Sequence, residues 1–214
     1  MLMMPQRIGA AIILLVVTVL VFLLQILLPT SFTEHFMLIS ADILERPWIL
    51  VTSMFLHSLQ NPFHIIFNMF ILFFFGPLVE ARIGTKRFLG LYFGAGIIAA
   101  IIASFFYAAA LGASGALMGV LGVAVVLMPN LQVLLWGIIP MTLRTLAILF
   151  VLIDIFNTIA ATNIATMAHF AGLATGLAFG FFLKKRQKKF TKRFSKKTDL
   201  DDQDIQEYLR SGRI

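Results

Sequence analysis

The chain has 214 residues, of which 60% are hydrophobic and 13% charged, at a mean hydropathy of +0.95. Soluble domains carry about 45–50% apolar and about 25% charged residues, and so large an excess cannot be hidden in one core of this size. A soluble globular enzyme and a disordered chain are both excluded, and the solvent is mostly lipid. The formal net charge of +7 would suit a nucleic-acid partner, but nine of the 17 Lys and Arg fall within residues 184–197, directly after an apolar segment. A basic cluster there reads as a cytoplasmic stop that holds anionic lipid headgroups, so no nucleic-acid role is expected. There is no cysteine, which removes disulfides, thiolate metal sites and cysteine nucleophiles. No cofactor or metal is expected.

A membrane helix needs about 20 apolar residues to cross about 30 Å of hydrocarbon. Residues 8–28 carry no charge after Arg7 and are too long for a signal-peptide core, so they are expected to remain as an anchor. A mixed segment, 29–61, follows with Glu34, Asp42, Glu45, Arg46 and Trp48. The second span is expected at about 62–79, ending at a charged turn over 80–87. From Phe88 to Leu143 no residue is charged, and as one helix that stretch would run to about 84 Å, so it must turn back. Gly112-Ala113-Ser114-Gly115 and Met128-Pro129-Asn130 mark the turns. Spans three to six are therefore expected at about 88–109, 114–128, 143–156 and 164–183. The fold class is an all-α membrane protein with a six-transmembrane-helix bundle, followed by a basic, then acidic, tail over 184–214. Arg7, Arg82, Lys86, Arg87, Arg144 and the tail fall on one side and only Arg46 on the other, which predicts two cytoplasmic termini in the cell membrane.

Ionisable groups at membrane depth are costly and are functional candidates by default. They are His64 and Asn68 in span two, Ser114 opening span four, Asp154 near the end of span five and His169 in span six. His64 and Asn68 are four apart and so share a helical face. Gly115, Gly119 and Gly122 in span four, and Gly172, Gly176 and Gly180 in span six, form small-residue stripes on which two membrane helices can meet backbone to backbone. If they do, Ser114 and His169 lie side by side just before the first glycine of each stripe. Span four is only about 22 Å long, so its start lies beneath the outer surface, at the depth of His169. A hydroxyl and an imidazole so placed make a nucleophile and a general base. The helix N-terminus at Ser114 suits a developing oxyanion, and His64 and Asn68 are further donors. Asp154 is expected to end span five in wet surroundings, with orientation of His169 as the alternative.

These motifs together resemble the rhomboid family of intramembrane serine proteases. Gly112-Ala113-Ser114-Gly115 is similar to its Gly-x-Ser-Gly nucleophile motif, and Ala168-His169-Phe170-Ala171-Gly172 followed by Gly176 to its last, base-bearing helix. His64-Ile65-Ile66-Phe67-Asn68-Met69 resembles the motif around the oxyanion. Pro47-Trp48 leading to His57, and Gly76-Pro77-Leu78-Val79-Glu80, resemble the first loop and the end of the second helix. The resemblance implies Ser114 as nucleophile and His169 as base, in a dyad without a carboxylate. It implies an oxyanion hole of the Ser114 N–H, His64 and Asn68. It also implies, as substrate, a transmembrane helix of another protein that enters past spans two and five and is cut near its outer end. The alternative reading is a non-catalytic rhomboid-like protein that binds membrane helices. Such relatives usually lack the serine or the histidine, and both are present here.

Overall fold

The structure is a computed structural model and describes residues 9–135, 138–160, 162 and 164–194. Among these residues there are eight α-helices, besides two single 3-10 turns at Ser40–Asp42 and Ser53–Phe55. In chain order they are α1 (Ala10–Leu27), α2 (Thr30–Phe36), α3 (Ile49–Thr52), α4 (Pro62–Ile83), α5 (Thr85–Ser104), α6 (Ser114–Leu127), α7 (Leu143–Ile159) and α8 (Thr166–Phe194). Six of them fall on the expected spans, and the short α2 and α3 lie in the mixed segment between the first two. Four helices, α1, α4, α5 and the Thr166–Lys188 part of α8, are long and apolar enough to cross a membrane, whereas α6 is apolar but shorter. The expected all-α class also needs amending. Strand β1 (Leu38–Ile39) pairs antiparallel with β2 (Ala109–Ala110), and β3 (Gln132–Leu135) with β4 (Ile139–Thr142).

Several boundaries move. Helix α4 starts with Pro62 at its first turn, where the Asn61 side chain accepts from the Phe63 N–H, a favourable N-terminal arrangement. It continues past the expected end at 79, because Glu80 and Arg82 do not break a helix, and stops at Gly84. Gly84 has φ +83°, a left-handed value that favours glycine. The charged turn expected over 80–87 is thus mostly helix, and Glu80 is buried. Its two carboxylate oxygens accept from the Ala10 and Ala11 N–H groups at 2.9 Å each, and one also accepts from the Thr85 hydroxyl at 2.7 Å. A carboxylate at the first turn of α1 satisfies orphan donors and suits the positive end of the helix dipole. Span three gives way to β2 instead of running to 109. Helix α8 passes its expected end at 183 and carries the start of the basic cluster to Phe194, since lysine, arginine and glutamine are good helix formers. The remainder of the tail lies outside the described residues.

Helix α6 sits at the centre. Every residue from Gly115 to Ala124 is buried, so its surroundings are protein on all sides, as its uniformly apolar sequence requires. The glycine stripes meet as expected. A Cβ on Gly172 would collide with the Gly115 carbonyl oxygen, and one on Gly176 with the Gly119 carbonyl oxygen. The two helices therefore run parallel in direct backbone contact, starting from the same end. Outward, α1 exposes Val16, Leu20, Leu23, Leu24 and Leu27, and α4 exposes Phe63, Ile66, Phe70, Phe73 and Phe74. Apolar exposure on that scale fits lipid as the surrounding solvent.

Candidate active site

The close approach of α6 and α8 brings their first turns together. Ser114 Oγ lies 2.8 Å from His169 Nε2, and both residues are half-buried, so they remain open to a reactant. Ser114 is the first residue of α6, after Ala113, whose side chain provides no cap. The free N–H groups of that turn therefore point out beside the hydroxyl. The loop before it is held by the Gly112 N–H, which donates to the Ser53 carbonyl at 2.9 Å. Gly112 has φ +120°, and the space a Cβ would need is filled by the His64 ring, with Nε2 at 2.7 Å. Only glycine meets both demands.

His64 is thus next to the loop before α6, leaning on Gly112 two residues before Ser114. Asn68 is buried one turn further along α4, and its Nδ2 donates to the His64 carbonyl at 2.7 Å. That amide retains one further N–H. The His57 ring, in the loop before α4, packs against the His64 ring with centroids 5.0 Å apart. Burial first, and then the neighbouring His64, push the His57 pKa down to about 3, partly offset by the backbone at Phe55. His57 is neutral as a result.

Asp154 corrects one expectation. Instead of ending α7 in wet surroundings it is 5% exposed, and its Oδ1 lies 2.9 Å from His169 Nδ1. The phase of α7 turns this position toward α8 while its neighbours Ile153 and Ile155 face outward. Further supports were not anticipated. The Tyr107 hydroxyl accepts from the Met167 N–H and pairs with the Thr166 hydroxyl, each at 3.2 Å, which pins the turn that carries His169. Gln25 bridges α1 to the first loop, with Oε1 accepting from the His57 N–H at 2.9 Å and Nε2 donating to the His57 carbonyl at 3.2 Å. A glutamine inside an otherwise apolar span was the one sequence signal for that contact. Arg46 pairs with Asp42 and donates to the Glu34 carbonyl at 3.3 Å. Among the described residues no group of three His, Asp or Glu is arranged to hold a metal ion.

A family model described as the rhomboid domain matches residues 44–186. YdcA of Bacillus subtilis (strain 168) is 31% identical over 147 residues, which cover 67% of this chain and 71% of YdcA. Rhomboid-like protease 2 of Toxoplasma gondii is 30% identical over 141 residues, 64% of this chain and 48% of that protein. Rhomboid protease GluP of Bacillus subtilis (strain 168) is 35% identical over 132 residues, 60% of this chain but 24% of GluP. The matched region takes in α3 to α7 and α8 as far as Arg186. This chain belongs to the rhomboid family and is a multi-pass membrane protein. Helix α1 precedes the matched region and is joined to it by the Glu80 and Gln25 contacts.

Proposed function

We propose that this chain is an intramembrane serine endopeptidase that cuts transmembrane helices of other membrane proteins near their outer ends. The observation that carries the reading is the 2.8 Å approach of Ser114 Oγ to His169 Nε2. In this reading His169 Nε2 takes the Ser114 proton as Oγ attacks the substrate carbonyl. The oxyanion is met by the free N–H groups at the start of α6, with His64 and Asn68 as side-chain donors. His169 then protonates the leaving amine, and water releases the acyl group by the same route in reverse. The names of the relatives, which include rhomboid proteases, support the reaction class.

The chain spans the membrane six times in this account, with α7 and the short α6 joining the four longer helices. Both termini lie in the cytoplasm, so that the basic end of α8 meets anionic headgroups. The substrate helix enters between α4 and α7. Their sides meet through the Phe67 and Phe150 rings, 5.7 Å apart, while much of the outer half of α7 is exposed. A non-catalytic helix-binding role is the alternative, and the paired serine and histidine weigh against it. Labelling of the purified chain by a serine-directed fluorophosphonate tests the reading. Ser114 should be the labelled residue, and both Ser114→Ala and His169→Ala should remove the signal while the helical content is kept. Undiminished labelling of Ser114→Ala would refute the assignment.

A further inference from the structure

The dyad implied by family resemblance has no carboxylate, yet His169 has one at its second ring nitrogen. Helix α7 buries Leu143, Leu146 and Ala147 near its start, and beyond them only Asp154 among its described residues. The outer half of this helix therefore turns a single buried side chain inward, and it is a charged one. An aspartate at membrane depth is unfavourable without a partner. The partner here is His169 Nδ1 at 2.9 Å, and the opposite ring nitrogen is the one that meets Ser114. The register is held by hydroxyls. Thr158 Oγ1 donates to the Asp154 carbonyl at 2.8 Å and lies 2.8 Å from Thr166 Oγ1 at the start of α8. Thr166 in turn pairs with the Tyr107 hydroxyl.

We infer that Asp154 is a positioning residue for the base, an inference that rests on the Ser114–His169 reading above. A carboxylate only accepts hydrogen bonds, so His169 Nδ1 must donate to it. A neutral imidazole with its proton on Nδ1 has its lone pair on Nε2, facing the Ser114 hydroxyl. The carboxylate thus selects the tautomer that can remove the serine proton, and it fixes the plane of the ring. When the Oγ–carbon bond forms and the proton moves to Nε2, the imidazolium lies against a fixed negative charge. Asp154 itself stays unprotonated, and the proton goes on from Nε2 to the leaving amine as the carbon–nitrogen bond breaks.

The test uses the full chain in lipid vesicles with a transmembrane-helix substrate, and compares Asp154→Asn, Asp154→Ala and Asp154→Glu with wild type and Ser114→Ala. An asparagine is nearly the shape of aspartate, but its amide donates to Nδ1 and moves the ring proton to Nε2. Loss of the correct tautomer costs about 10⁴-fold in the serine-protease template. Asp154→Asn should lower kcat at least about 10²-fold with KM nearly unchanged, should be no more active than Asp154→Ala, and should be partly rescued by Asp154→Glu. A purely structural role predicts the reverse order, with Asn close to wild type and Ala the worst, and that result would overturn the inference. Should the variants fail to fold, ¹⁵N spectra of histidine-labelled wild-type protein, assigned against His169→Gln, provide the check. The neutral His169 ring should carry its proton on Nδ1, and a dominant Nε2–H form would overturn the inference as well. If wild-type protein cleaves no faster than Ser114→Ala, the nucleophile assignment itself fails and the positioning role falls with it.

Discussion

Asn68 and His64 share a face of α4, but their situations differ in a way that shapes what each can contribute. Asn68 is fixed by its own bond to the His64 carbonyl, while the His64 ring is held against Gly112, two residues before Ser114. If both donors act on the oxyanion, they act on charge that exists only in the transition state. Asn68→Ala should therefore reduce kcat by about 10²–10³ with little change in KM. Measured mainly as a rise in KM, the loss would assign Asn68 to substrate docking instead. His57 makes a separate prediction at pH values below neutral. Its folded pKa is held down to about 3 against an ordinary 6.5, so between those values the unfolded state binds a proton that the folded state does not. The stability associated with a neutral His57 is thus complete above about pH 6.5 and is lost as the pH falls toward 3. Unfolding of detergent-solubilised protein should become easier over that range, and His57→Gln should flatten the dependence. An unchanged slope would contradict it. Ser114, His169, His64 and Asn68 were legible because their residue types are rare in lipid and their spacings match helical faces. The contact of Asp154 with His169 was open only as the alternative, because nothing local specifies how α7 is rotated against α8.

The glycine stripes show how far an element can be read from its sequence. Small residues at every third or fourth position announced a close helix pair, and α6 and α8 meet there with no room for a methyl group at Gly172 or Gly176. Gly176→Ala should force the two backbones apart and destabilise the fold by about 1–3 kcal/mol, the usual range for overpacking. The same change at Gly94 meets nothing within 4 Å, so it should be neutral or mildly stabilising, since alanine is the better helix former. Thermal unfolding of the two variants checks the contrast, and equal effects would remove backbone contact as its cause. The segment 29–61 was far less legible. It has no sustained period, and its order comes from distant partners. Thr52 Oγ1 donates to the Phe36 carbonyl at 2.7 Å, Gln25 clamps His57, and β1 pairs with β2 some seventy residues later. The ends of α4 and α8 were misjudged for a different reason: a charge marks the lipid boundary but does not unwind a helix.

For the molecule as a whole, lipid outside and a polar cluster inside set the conditions for chemistry. A peptide carbonyl in a helix is shielded by its own hydrogen bonds, and lipid cannot satisfy a backbone that unwinds. The N-terminal parts of α4, α6 and α8 carry His64 and Asn68, Ser114, and His169 in turn, and in the proposed reading such a backbone is received there. Glycine costs about 1 kcal/mol and proline about 3 kcal/mol in a helix interior relative to alanine, so a substrate that carries them near its outer end is easier to open. The measurement that bears most directly on this account is cleavage of such a helix by the purified chain in lipid vesicles, with the cut bond located by mass spectrometry. The cut is expected within the outer part of the membrane segment, and absent with Ser114→Ala or His169→Ala. Cleavage should be at least tenfold slower, about 1.4 kcal/mol of barrier, when the glycine and proline residues near the cut are replaced by leucine. Cleavage that persists in Ser114→Ala protein would contradict it.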